Sequence, residues 1–333
     1  MGLKRCYRDV WFGPVEFARV SQSEAPSPEG GSSFARSPAM LAFGGVGVCA
    51  LIWGTTWYAI TFQLGAVDPV ISVVLRFGIA SALLALIVKA TGGRLALTRG
   101  QHLAALGQGL FSFAISYAFV YASEEKIASA VVAVIFAALA FLNLILFRVA
   151  SGQKAASAAW LGAGLGVVGV GVLSAGEVLG AGLGVHAVAG VSFAVIAVVA
   201  SAFGNWFAWR GQQAGSQVLP STAWAMAYGT GTLALYALVT GVSWSVAWSP
   251  AYVISLLYLA VFGSVIAFGL YFTIARARGY AVASYISALT PPIAMLVSVM
   301  FEGARFGVLA LVGLALVLAG QLFLIRAPKR SAA

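Results

Sequence analysis

The chain has 333 residues, of which 61% are hydrophobic and only 8% charged, and its mean hydropathy is +0.98. A soluble core does not account for uncharged runs that repeatedly reach the ~20 residues needed to cross a ~30 Å hydrocarbon layer. The net charge of +10 is scattered among short gaps between those runs, which points to membrane orientation and anionic lipid headgroups and away from a nucleic-acid surface.

In chain order, residues 1–38 are dominated by Ser, Pro, Gly and Glu, a composition that cannot bury a core, and are read as a disordered cytoplasmic tail. The alternative is that translation starts at Met40. The first predicted span lies within 38–62, and the second begins at Asp68-Pro69, runs to Lys89 and contains Arg76. Residues 100–123, 127–147 and 155–176 supply the third to fifth, and 178–209 the sixth. From Gly211 to Ala275 there is no charge, far too long for one crossing. The chain must turn back at 241–250, where Trp244 and Trp248 suit the bilayer interface and Pro250 a helix start. That makes spans seven and eight, with 279–301 and 306–325 as nine and ten.

All of the 19 Lys and Arg residues except Arg76, Lys126 and Arg305 fall on one side of such an arrangement. Asp68, Glu124, Glu125, Glu177 and Glu302 fall in the alternate gaps. Positive-inside asymmetry then places both termini in the cytoplasm of a multi-pass inner-membrane protein. The halves also match each other at a near-constant offset. Trp57-Tyr58-Ala59 aligns with Trp206-Phe207-Ala208 at 149, and Pro69 with Pro220, Tyr117 with Phe268, Gly162 with Gly313 and Gly169 with Gly320 at 151. Five spans per repeat, 39–176 and 178–326, would insert the second copy upside down, an arrangement used by transporters. A short C-terminal tail, 327–333, completes the chain.

Arg76 is the sharpest candidate, because a charge inside a span is costly and normally faces a cavity or a partner. Its guanidinium fork would suit a substrate carboxylate or phosphate; the competing reading is a structural lock with Asp68 or Glu302, or a side chain that snorkels outward. Trp53 with Trp57, and Tyr117 with Tyr121, share helix faces at four-residue spacing, and Asn205 and Trp206 sit where the second repeat copies Thr56 and Trp57. Such aromatic walls with Thr and Asn as orienting groups would hold an amphipathic solute, although lipid interfaces and helix packing also use aromatic residues. Pro291-Pro292 remove backbone donors within a span and suggest a broken helix at a site wall, with Tyr285 nearby. Gly162, Gly166 and Gly169 suggest close helix packing, and His102 and His186 solvated interface positions.

Cys6 and Cys49 form neither a disulfide framework nor a metal cluster, and no Walker-type phosphate loop appears, so no cofactor is expected. No carboxylate lies in the middle of a predicted span, and Glu302 at the end of the ninth comes nearest to a coupling group. An integral-membrane enzyme would need clustered acids or histidines, yet the loops offer only Glu124-Glu125-Lys126. A channel or sensor is a third class, disfavoured by the two repeats.

Trp53-Gly54-Thr55-Thr56-Trp57, Leu75-Arg76-Phe77, the stretch from Tyr258 to Phe268, and Leu289-Thr290-Pro291-Pro292 with Glu302 resemble the EamA family of the drug/metabolite transporter superfamily. The resemblance implies ten helices as two inverted five-helix repeats, and export or exchange of a small polar or amphipathic solute; the expected partners are that solute and membrane lipid, with the chain a monomer or homodimer. The fourth span departs from the family pattern, with Ala138-Leu139-Ala140 where a Pro is usual and Phe147-Arg148 in place of Gly-Glu.

Overall fold

The computed structural model describes the backbone of residues 38–326 except 66, 153–155, 181–183 and 279. The predicted tails lie outside these residues, save Pro38, which opens the first helix. No strand occurs among the described residues.

The helices are α1 (Pro38–Thr61), α2 (Pro69–Ala90), α3 (Arg99–Gln108), α4 (Ser116–Glu124), α5 (Ser129–Phe136), α6 (Leu139–Ser151), α7 (Ser157–Gly180), α8 (Val185–Gln213), α9 (Val218–Thr240), α10 (Pro250–Ala260), α11 (Ala267–Arg278), α12 (Tyr280–Val297) and α13 (Val308–Arg326). Three π-helical segments, π1 (Gly109–Ile115), π2 (Val261–Ile266) and π3 (Ser298–Glu302), continue α3 into α4, α10 into α11, and the end of α12.

Local chemistry explains the boundaries. Asp68 Oδ1 accepts the Val70 N–H at 2.8 Å and Pro69 occupies the first turn, so α2 starts where the sequence predicts. Thr98 and Gln101 close a reciprocal capping box at the start of α3. Ser249 caps α10 ahead of Pro250, while Gly241, at φ 72°, ends α9 in the left-handed conformation. Helix α12 runs on through Pro291 and Pro292, so the break expected there is absent and the irregularity falls nearly two turns later, in π3.

Among the described residues, six segments are long and apolar enough to cross a membrane: Pro69–Ala90, Arg99–Glu124, Ser129–Ala150, Ser157–Gly180, Val185–Gln213 and Pro250–Ala277. Leu86, Val149, Leu161, Val185 and Ile254 are exposed on them. In water such surfaces would aggregate; in a bilayer they meet lipid tails.

The two halves carry related irregularities. π1 and π2 begin 152 residues apart and end 151 apart, the offset found in the sequence. α7 and α13 approach through glycine: a methyl added at Gly169 would lie 2.7 Å from Gly313 O, one at Gly313 2.7 Å from Gly169 O, and one at Gly320 2.5 Å from Gly162 O. Residues matched at 151 thus meet crosswise, Gly169 on Gly313 and Gly162 on Gly320. Gly166 packs on the Phe141 ring. With no aqueous driving force between helices in lipid, this close approach supplies the dispersion contact that holds them.

His102 departs from expectation. Its Nδ1 lies 3.0 Å from the Tyr228 hydroxyl and its ring stands edge-on to Trp224, so it ties α3 to α9.

Candidate substrate cavity

One face of α1 presents Trp53, Thr56, Trp57 and Ile60, residues three or four apart, to the interior. Around that face close Arg76 from α2, Ser112 from π1, Tyr117 and Val120 from α4, Phe136 from α5, Ser201 and Asn205 from α8, Phe268 and Tyr271 from α11, and Ser287 and Thr290 from α12. They enclose a cavity of about 90 Å³ walled by both halves of the chain. Six aromatic rings share the walls with seven convergent polar side chains, the mixture of apolar surface and orienting groups that small-molecule sites use.

Arg76 is 1% exposed, the largest fully buried side chain. Its Nε donates to Ser264 Oγ at 3.1 Å. The π2 turn makes that possible: Ser264 Oγ donates in turn to Leu259 O, five residues back, at 2.9 Å. The guanidinium carbon stands 4.7 Å from the Tyr117 ring centre and 5.2 Å from that of Phe77, within cation–π range. Its Nη1 is buried without an acceptor. The alternative of a lock with Asp68 or Glu302 does not hold, since Asp68 caps α2 and Glu302 accepts from Ser129 and Ser298.

The tryptophans divide their work. Trp53 Nε1 donates to Gly263 O at 3.2 Å, and its ring packs on Phe268 and Tyr271. Trp57 packs against Phe136 with the two rings tilted at 59°, and its buried Nε1 has no acceptor. The Thr56 hydroxyl bonds back to Trp53 O at 2.9 Å. Asn205 Nδ2 reaches Tyr271 Oη at 3.2 Å and Asn143 Oδ1 at 3.4 Å, which joins α8 to α11 and α6. Ser201 and Ser116 share a hydrogen bond of 2.8 Å.

Six of the ten residues singled out in the sequence, Trp53, Thr56, Trp57, Arg76, Tyr117 and Asn205, therefore surround one cavity. Tyr121 stands behind the wall and donates to Gln63 Oε1 at 2.7 Å. Trp206 faces away, packed on Phe207 with the Arg210 guanidinium over its ring. Pro291 is buried beside the lining residue Thr290 without lining the cavity itself. The Tyr285 side chain lies outside the described residues. Sequence reasoning missed Ser112, Phe136, Ser201, Phe268, Tyr271, Ser287 and Thr290. Phe268 carried a signal as the repeat partner of Tyr117, and Thr290 stood within the Leu289–Pro292 stretch that carries the family resemblance.

An all-helical chain whose spans surround a buried aromatic chamber with an incompletely paired cation is a polytopic membrane protein of the small-molecule transporter class. The EamA-like transporter family matches residues 41–175 and again 188–326, and this chain belongs to it. Among curated proteins it is 26% identical over 267 residues to the uncharacterized inner membrane transporter YedA of Escherichia coli (strain K12), spanning 78% of this chain and 83% of that one. YedA of Escherichia coli O157:H7 matches to the same extent. A solved crystal structure superposes with a TM-score of 0.65 at 20% identity, covering 88% of this chain and 99% of the other, a likeness of fold.

Proposed function

We propose that this protein is a secondary transporter that exports or exchanges a small amphipathic anion, such as an amino-acid-like metabolite or an acidic drug, by alternating access. The observation that carries the reading is the pair of buried donors, Arg76 Nη1 and Trp57 Nε1, that reach the walls of an aromatic cavity without an acceptor. Buried donors left unpaired are costly, and a ligand that supplies oxygen acceptors and an apolar body removes that cost on binding. Tyr117, Trp53, Phe136 and Phe268 suit the apolar body; Arg76 suits a carboxylate or phosphate.

The transport cycle would use ten spans arranged as two inverted repeats, with both termini in the cytoplasm of the inner membrane. The matching π segments, the crossed glycine contacts and the two matched family stretches support that arrangement. It can be tested with Ser243→Cys in the α9–α10 connection, on a background lacking Cys6 and Cys49. A membrane-impermeant maleimide added to intact cells should label it; labelling only after the cytoplasm is opened would overturn the topology.

The function itself is tested by overexpression in a transport-deficient bacterial host, with extracellular metabolites compared against an Arg76→Ala control. Accumulation of a particular organic acid or amino acid, lost in the control, is the expected result. Equal profiles, with both proteins present in the membrane, would overturn the export reading.

A further inference from the structure

Glu124 was placed by its charge in a loop, but it ends α4 and is only 8% exposed. Neither carboxylate oxygen has a hydrogen-bond partner, and both are closed to solvent. Glu302 is held quite differently, accepting from the Ser129 hydroxyl at 2.6 Å and also from the Ser298 hydroxyl. Arg76 is placed by the same helix: its guanidinium carbon stands 4.7 Å from the ring centre of Tyr117, which lies seven residues, two turns, before Glu124 on one face of α4. Among the described residues, one face of α4 thus carries an acid without donors at its end and, two turns earlier, the Tyr117 ring beside a guanidinium with a donor to spare, the two charges not joined in an ion pair.

A dry carboxylate with no donor is among the most costly arrangements a protein can hold, and it is relieved by a proton or by a cation. Here the nearby cation is the one offered to the substrate. We propose that Glu124 carries the proton of the transport cycle and that its protonation is linked to anion binding at Arg76. The proposal rests on the transporter reading above. Ionised, Glu124 satisfies part of the field of Arg76 and repels an arriving anion. An O–H bond formed on Glu124, with the proton drawn from water on one side of the membrane, removes that repulsion, so proton and anion occupy the interior together. The proton returns to water on the other side when the anion leaves. Linkage is reciprocal, so the bound anion equally strengthens the hold on the proton.

Other titratable groups surround the site without duplicating it. On α4, Tyr121 and Tyr117 lie in the field of both Arg76 and Glu124. In the following turn, Glu125 is exposed and Lys126 Nζ lies 6.0 Å from the Phe193 ring centre on α8. His186 at the start of α8 and Arg305 beyond π3 are exposed, and Asp68 is engaged as the α2 cap.

The test uses the full chain in lipid vesicles. Infrared difference spectra across the neutral pH range should show the C=O stretch of a protonated carboxyl, lost in Glu124→Gln and kept in Glu125→Gln. Binding of indole-3-acetate, an aromatic carboxylate, should weaken by up to about tenfold per pH unit above the titration midpoint. In Glu124→Gln that dependence should flatten at the tighter, low-pH level. Where Gln prevents membrane insertion, Glu124→Asp should keep both the band and the slope. No titrating band, or an unchanged slope in Glu124→Gln, would overturn the proposal. A Glu124-dependent band with no binding of the anion at any pH would overturn the linkage and the anion reading of the cavity, leaving only the protonation.

Discussion

Arg76→Ala is expected to weaken binding of an aromatic carboxylate by about one to two orders of magnitude, since a hydrogen bond to a charged group contributes about 1.5–3 kcal/mol. Arg76→Lys should fall between the two. It keeps the charge but loses the planar fork and the Nε donor that Ser264 holds in place, so the ammonium cannot make the same parallel pair of bonds. The neutral amide of the same ligand provides the control. Wild type should prefer the acid, and Arg76→Ala should bind acid and amide alike. A wild type indifferent to the ligand's charge would remove Arg76 from the recognition of substrate. Folding need not follow in step, because the substitution deletes a buried charge that donates to Ser264 and sits between the Tyr117 and Phe77 rings, and a buried charge contributes little net stability. Thermal unfolding in detergent separates the two effects.

The second large effect concerns the α7–α13 seam. A methyl at Gly169 or Gly313 would stand 2.7 Å from a facing backbone carbonyl, closer than any real packed carbon. Backbone cannot rotate aside as a flexible side chain can, so the helices must separate. Each substitution to Ala should destabilise by about 1–3 kcal/mol. The double variant should cost less than the sum of the two, because the first separation relieves the second clash. Gly164→Ala, on the same helix with nothing within 4 Å, should change stability by less than about 0.5 kcal/mol. Equal melting temperatures for Gly164→Ala and Gly169→Ala would show that the seam is looser than described.

The proposed coupling and the proposed recognition share one residue. Arg76 is anchored on one side by a π turn that places Ser264, and screened on another by the Tyr117 ring. Preorganisation of this kind keeps the guanidinium from relaxing toward Glu124 and forming a closed ion pair, which would leave nothing for a ligand to complete. The π segments thus have a use beyond their symmetry. π2 also turns the Gly263 carbonyl toward Trp53 Nε1, which fixes that ring as wall and leaves the Trp57 N–H as the free donor.

What could be read from the sequence alone was whatever depends on short stretches of chain. Span positions follow from how long a charge-free run must be to cross a hydrocarbon layer, and the Asp68-Pro69 and Pro250 starts follow from capping chemistry within one turn. Arg76 stood out because any charge within a span is expensive wherever it faces. Tertiary structure decided which faces converge. Tyr117 and Tyr121 share a helix face at four-residue spacing, yet one lines the cavity and the other hydrogen-bonds Gln63 behind it. Ser112, Ser201 and Ser287 gave no signal, since small hydroxyl residues serve helix packing equally well. Glu124 was misplaced for a related reason: a charge at the end of a span marks a boundary in one dimension, and only the packing of α4 on α8, where Ser123 donates to Gly190 O at 2.8 Å, determines whether that boundary is wet or buried.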